Sequence, residues 1–192
     1  RDNSAMQEID QPAARPRRDR LSLRRRIVAI VSGCVLGVPA LAQTDAQWTE
    51  WGARVHGGFG SLVAYGVVVG QDALQRLHAR RRELSVHYVD GPQTPCACII
   101  DGVAIAVSAS LGQRTLVLDD ERAESGVLAR IRFTRRDNGA AVEYVLPQTM
   151  LPRMASINRD VPQGQRLAAV RRIPVQVLFD VWDDRLTLVL EP

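Results

Sequence analysis

Gly66 and Gly70 stand four residues apart inside an apolar segment that begins at Ser61 and runs to Leu77. Leu62, Val63, Tyr65, Val67, Val69, Ala73 and Leu74 fill most of a helical surface over this stretch. A glycine costs about 1 kcal/mol in a helix interior. Two of them on one helical face therefore predict that another backbone packs closely against that face. Ser61 suits the N-cap, and Asp72 with Arg76 makes an i,i+4 pair near the other end. The segment reads as a central helix. A second apolar segment, Ile99 to Leu111, carries Ala104, Ala106, Ser108, Ala109 and Ser110 and reads as another buried helix, ended by Gly112.

The remaining elements are expected around these two helices. Asp45 to Arg54 places Trp48 and Trp51 near helical spacing with Val55, which predicts a short entry helix with the tryptophans as packing residues. Glu83 to Asp90 alternates as a strand, with His87 on the face of Ser85 and Val89. His87 and His78 are read as structural or solvent-facing. Thr115 to Leu118 is a further strand, and Asp119 to Glu124 reads as an acidic connector. Val127 to Thr134 and Ala141 to Leu146 form a hairpin over Asp137-Asn138-Gly139, since Asn-Gly is a strong turn signal. Gln148 to Arg172 reads as two short helices divided by Asp160-Val161-Pro162. Residues 173–180 fit either a short helix or a strand, and Leu186 to Leu190 fits a terminal strand.

Charge narrows the partners. The chain has 25 basic residues, all arginine, and 21 acids; residues 1–26 hold eight of the arginines and four of the acids, leaving seventeen of each. A neutral domain has no electrostatic footprint for nucleic acid, so no nucleic-acid partner is expected. That leaves roughly 150 residues for one domain with a real core.

Residues 1–42 read as an N-terminal extension and export signal, and residues 43–192 as the folded domain. Arg24-Arg25-Arg26, the apolar run Ile27 to Ala40 and Ala40-Leu41-Ala42 supply the three parts of a secretory signal peptide. The expected location is periplasmic or otherwise exported. Leu23-Arg24-Arg25-Arg26-Ile27-Val28 also fits a twin-arginine pattern, and that route and a plain Sec signal both stay open. Val31-Ser32-Gly33-Cys34 resembles a lipoprotein cleavage box, but the apolar run continues past Cys34, which argues against lipidation there. Membrane association is expected only with lipidation or an uncleaved signal.

The chemistry-bearing residues cluster before the two central helices. His56 lies in the Gly-rich stretch His56-Gly57-Gly58-Phe59-Gly60, and Cys96-Ala97-Cys98 lies before the second helix. A site between two helix N-termini is the expected arrangement. The cysteine pair has three readings: a disulfide across one residue, two thiolates beside a histidine for a soft metal, or one low-pKa thiolate at a helix N-terminus. Cys98 is the better placed for the last, as a nucleophile with His56 as its base and Asp101 as an orienting carboxylate. No second Cys pair completes a zinc ribbon.

His56-Gly57-Gly58-Phe59-Gly60 with its Gly-containing helix, then Cys98-Ile99-Ile100-Asp101-Gly102-Val103 and Ser108-Ala109-Ser110-Leu111-Gly112, resembles the FmdE-like family of formylmethanofuran dehydrogenase proteins over roughly residues 50–154. The resemblance implies a single α+β domain, with a mixed β-sheet packed against two central helices. It also implies a metal pocket, zinc most often, formed by the His-rich turn and the cysteine before the second helix. Gly58 and Gly60 stand where many members carry a second His and a Cys. The family ligands therefore carry over onto His56 and Cys98, with Asp101 as a polar neighbour, and Cys96 is taken as an extra thiolate. The expectation is an exported metal- or cofactor-binding accessory protein with His56, Cys96 and Cys98 as ligands. Zinc is the expected ion, with copper or another soft metal next. A homodimer or a larger exported complex is the expected assembly, and a cysteine-dependent enzyme or thiol redox module is the alternative.

Overall fold

The computed structural model describes residues 43–183. The expected signal peptide with Cys34 and the expected strand at Leu186 to Leu190 lie outside them. Helix α1, Asp45–His56, starts in a reciprocal cap in which Thr44 and Gln47 exchange side-chain and backbone hydrogen bonds. It leads into α2, Ser61–Arg76. Strand β1, Leu84–Asp90, helix α3, Cys98–Val107, and strand β2, Leu116–Arg122, follow. The hairpin is β3, Val127–Arg135, and β4, Ala141–Pro147, and Gly139 takes φ +76° in its turn. A 3-10 turn, Gln148–Met150, precedes α4, Leu151–Asp160. Next come α5, Arg166–Arg171, α6, Val175–Leu178, and β5, Asp180–Asp183. Residues 173–180 thus take the helical alternative, and the strand begins only at Asp180.

The five strands form one sheet in the order β2-β1-β3-β4-β5. β1 and β2 are parallel, joined by the α3 crossover, and the other pairings are antiparallel. Alternation sends Ile131 and Phe133 of β3 and Val142, Tyr144 and Leu146 of β4 into the core, where all are fully buried. The fold is α+β, a mixed sheet packed with two central helices, as the family resemblance implies.

The reason α2 and α3 are central is a contact of backbone on backbone. A Cβ added at Gly66 would lie 2.0 Å from the Ile99 carbonyl oxygen, and one added at Gly102 would lie 2.0 Å from that of Val63. Each helix thus accepts the other's main chain at a position with no side chain. Gly70 extends the seam, its added Cβ meeting the Ala106 methyl at 2.6 Å. The expected partner of the glycine face is therefore α3, and Gly102 is its reciprocal half.

Three boundaries differ from expectation. α3 stops at Val107, short of Leu111, because Ser108 takes a left-handed φ of 57° and Ala109 N–H donates back to the Ala104 carbonyl at 3.1 Å. The N-cap of α2 is Gly60, not Ser61. Ser61 N–H instead donates to Asn158 Oδ1 at 2.7 Å and its hydroxyl to the Met154 carbonyl at 2.7 Å, so α4 caps α2 from across the fold. Finally, Asp119 to Arg122 continue β2 instead of forming a loop. Parallel pairing with β1 and the Arg122–Asp90 ion pair at 3.3 Å hold these charged residues in an edge strand.

Candidate functional site

His56 is the last residue of α1, because Gly57 takes φ 85° and its N–H donates to the Ala53 carbonyl at 2.9 Å. It does not begin a helix as the sequence leads one to expect. Cys98 does, as the first residue of α3. The site therefore lies between the C-terminal end of one helix and the N-terminal end of another. Phe59, fully buried beside Gly52, anchors the intervening turn.

His56 and Asp101 meet across 45 residues of sequence, with Nδ1 2.7 Å from Asp101 Oδ2. A carboxylate can only accept, so Nδ1 carries the proton, and in the neutral imidazole that tautomer leaves the lone pair on Nε2. Both side chains are about one-third exposed, 29% and 36%. Asp101 sits in the first turn of α3, one turn after Cys98, and its orientation of the imidazole is what a ligand or base histidine needs.

Cys96 and Cys98 are joined as a disulfide, with their Cα atoms 5.2 Å apart. Of the three readings of this pair, the structure takes the first. His56, Cys96, Cys98 and Asp101 line one cavity of about 390 Å³, backed by Ile100, Leu116 and Leu118. All the sequence-predicted site residues therefore come together. Among the described residues, however, no group of three or more His, Cys, Asp or Glu is arranged to hold a metal. With the S–S bond in place, neither sulfur is available as a thiolate donor. The donor set fits a soft ion in the dithiol state, where two thiolates and an oriented imidazole would be available.

The other histidines stay apart from this cavity. His87 faces solvent on β1, its Nε2 3.0 Å from Asp119 Oδ2 on β2. His78 lies past the end of α2 in a left-handed conformation with φ 48°. Backbone N–H groups and the His87 contact hold the Asp119 carboxyl below its usual range.

Sequence patterns undervalue two residues here. Helical spacing assigns Trp51 to packing together with Trp48. Trp48 is buried and Trp51 packs edge-on against it, as expected, but Trp51 is half-exposed and also lines a second cavity that adjoins the first. Arg81, the middle residue of the run Arg80-Arg81-Arg82, lines that cavity too. No periodicity marks either, since the wall they share is assembled from three separate segments.

No curated protein matches the chain. Residues 55–182 match the profile of the FmdE family, described as molybdenum formylmethanofuran dehydrogenase operon. The matched span continues through α4, α5 and β5, past the expected limit near residue 154, which accords with β5 pairing onto β4 to complete the sheet. The chain belongs to the FmdE family.

Proposed function

We propose that this protein is an exported, metal-binding accessory protein whose site takes one soft divalent ion, zinc first, through His56 Nε2 and the thiolates of Cys96 and Cys98. The observation that carries this reading is the single cavity shared by His56, Cys96, Cys98 and Asp101. Binding starts with reduction of the disulfide. A dithiol reductant delivers two electrons and two protons to the S–S bond and is itself oxidised to a disulfide. The two thiols then lose their protons as the ion binds. Asp101 holds the Nδ1 proton, so that Nε2 faces outward as a neutral ligand. Three protein ligands would leave a fourth position for water, a substrate group or a partner's side chain. Membership of the family is consistent with service in a larger dehydrogenase-type assembly.

The test is elemental analysis of the purified protein, reduced and oxidised, beside a free-thiol count. Near-stoichiometric zinc is expected in the reduced protein, with none in the oxidised protein or in His56→Ala and Cys98→Ser. Folded, reduced protein that takes up no metal would end this reading.

The disulfide itself favours a second reading, a thiol redox module in which Cys98, at the N-terminus of α3, is the attacking thiolate. Under that reading the reduced protein stays metal-free and exchanges rapidly with glutathione disulfide. Intact mass then returns to the oxidised value.

A further inference from the structure

The larger of the two adjoining cavities, about 530 Å³, is walled by Trp51, Val55, Ala104, Ile105, Leu111 and Leu116. That volume falls within the roughly 300–1,000 Å³ of small-molecule sites. Its wall is predominantly apolar, with Ser108 and Ser110 as neutral polar groups and Arg54, Arg81 and Asp101 as the charged ones. Arg81 lies over the Trp51 ring at 5.1 Å from its centroid and over the Trp48 ring at 5.7 Å. These cation–π contacts fix the plane of the guanidinium.

Arg81 is poorly satisfied where it sits. Its Nη2 donates to the Ile105 carbonyl at 3.0 Å, while Nε is buried with no hydrogen-bond partner. Most other arginines of the fold pair with a carboxylate, as Arg76 does with Asp72, Arg130 with Glu143 and Arg135 with Asp137. Among the described residues Arg81 has no such partner. Burial holds its pKa below the ordinary value. A half-buried cation without a counter-ion is costly unless something supplies the negative charge. The other charges at the cavity do not supply it: Arg54 is paired with Glu50, and Asp101 is engaged by His56. One bond to an α3 carbonyl explains a helix-capping cation, but not the apolar cavity beside it.

We propose that this cavity binds a small organic anion with an apolar body, its carboxylate-type head on Arg81 and its body against Trp51, Ile105 and Leu111. The site is independent of the metal reading. It shares Asp101, Leu111 and Leu116 with the cysteine cavity, so a bound anion would project toward His56 and the sulfurs.

Calorimetric titration of the full-length protein, in chelator, with 2-naphthoate and with its neutral analogue 2-naphthalenemethanol tests this. The acid is expected to bind saturably and about tenfold or more tighter than the alcohol, because a charge-assisted bond is lost with the alcohol. Arg81→Met should remove that advantage and Arg81→Lys retain part of it. Ala104→Phe, which fills the cavity, should weaken both ligands. No saturable binding, equal affinity for acid and alcohol, or acid binding unchanged in Ala104→Phe would overturn the proposal. Should Arg81→Met fail to fold by circular dichroism, the acid–alcohol pair and Ala104→Phe still decide it. Zinc content of the same preparation, reduced and without chelator, separates the two hypotheses. Zinc uptake without acid binding defeats only this one, and acid binding without zinc defeats only the metal reading.

Discussion

Asp101 and Gly102 are neighbours on α3 and do opposite work. Gly102 faces α2 and contributes by having no side chain, letting the Val63 carbonyl lie where a Cβ would be. Asp101 faces the cavity and contributes through its carboxylate, which holds His56. The buried side of the helix is specified by what is missing and tolerates no addition. The open side is specified by particular atoms in reach of one another. One helix thus carries a backbone-on-backbone contact on one face and the candidate chemistry on the other, and the packing is what fixes the chemistry's position.

That contrast predicts a ranking of substitutions. Gly66→Ala and Gly102→Ala should be the most damaging, since backbone cannot move aside as a flexible side chain can. We expect each to cost about 4 kcal/mol or more, read as loss of the folded protein or a collapse of the urea midpoint. Gly70→Ala, which meets the Ala106 methyl and not a carbonyl, should cost less than either. A mild Gly102→Ala phenotype would break the comparison at its strongest point.

On the open face, Asp101→Asn should leave the thermal midpoint nearly unchanged while freeing the imidazole tautomer. Zinc affinity of the reduced protein should then fall about 10–100-fold, the usual effect of removing an orienting group, as measured by competition with a chromogenic chelator. Equal metal affinity in the variant would mean that Asp101 does not position His56.

Tyr65 offers a packing-side test with a polar component. It is fully buried, and its hydroxyl donates to the Leu178 carbonyl in α6. Tyr65→Phe leaves that carbonyl unpaired and should cost about 1–3 kcal/mol in denaturant unfolding. Asn158→Ala removes the acceptor of Ser61 N–H and should cost about 1 kcal/mol, visible as early fraying of the α2 N-terminus in hydrogen exchange.

The smallest effect lies on the exposed β1–β2 edge. The Asp119 carboxyl is held below its usual range by the Glu121 N–H first and His87 after it. A depressed folded-state value makes its contribution present above the unfolded carboxylate value of about 4. The contribution is lost as pH falls through the folded-state value. Asp119→Asn should therefore lower stability slightly at neutral pH and flatten the acid limb of the stability curve. A steeper acid limb would contradict that sign.

Much of this architecture is readable from residue patterns. Gly66 and Gly70 on one face of an apolar segment require a close partner, and the small residues of 99–111 mark which segment can provide it. Alternation and Asn138-Gly139 locate the hairpin. His56 and Cys98 stand out by type and position, and they do share a cavity. What misleads is local: Ser108 reads as helix because small residues suit helices, yet its left-handed conformation is set by the turn after α3. Asp119 to Arg122 read as a loop because charge disfavours strands, and pairing with β1 overrides that preference.

The sequence by itself determined the elements and the chemical inventory, since helical and strand periodicity, turn chemistry and residue type are local properties. Only the tertiary structure decided that Gly102 answers Gly66, that His56 ends a helix instead of starting one, and that Asp101 holds it from 45 residues away. It alone joined Cys96 to Cys98 and set Arg81 over two tryptophans beside an apolar cavity. These depend on distances between segments remote in the chain, and such distances are fixed by packing, which no local pattern encodes.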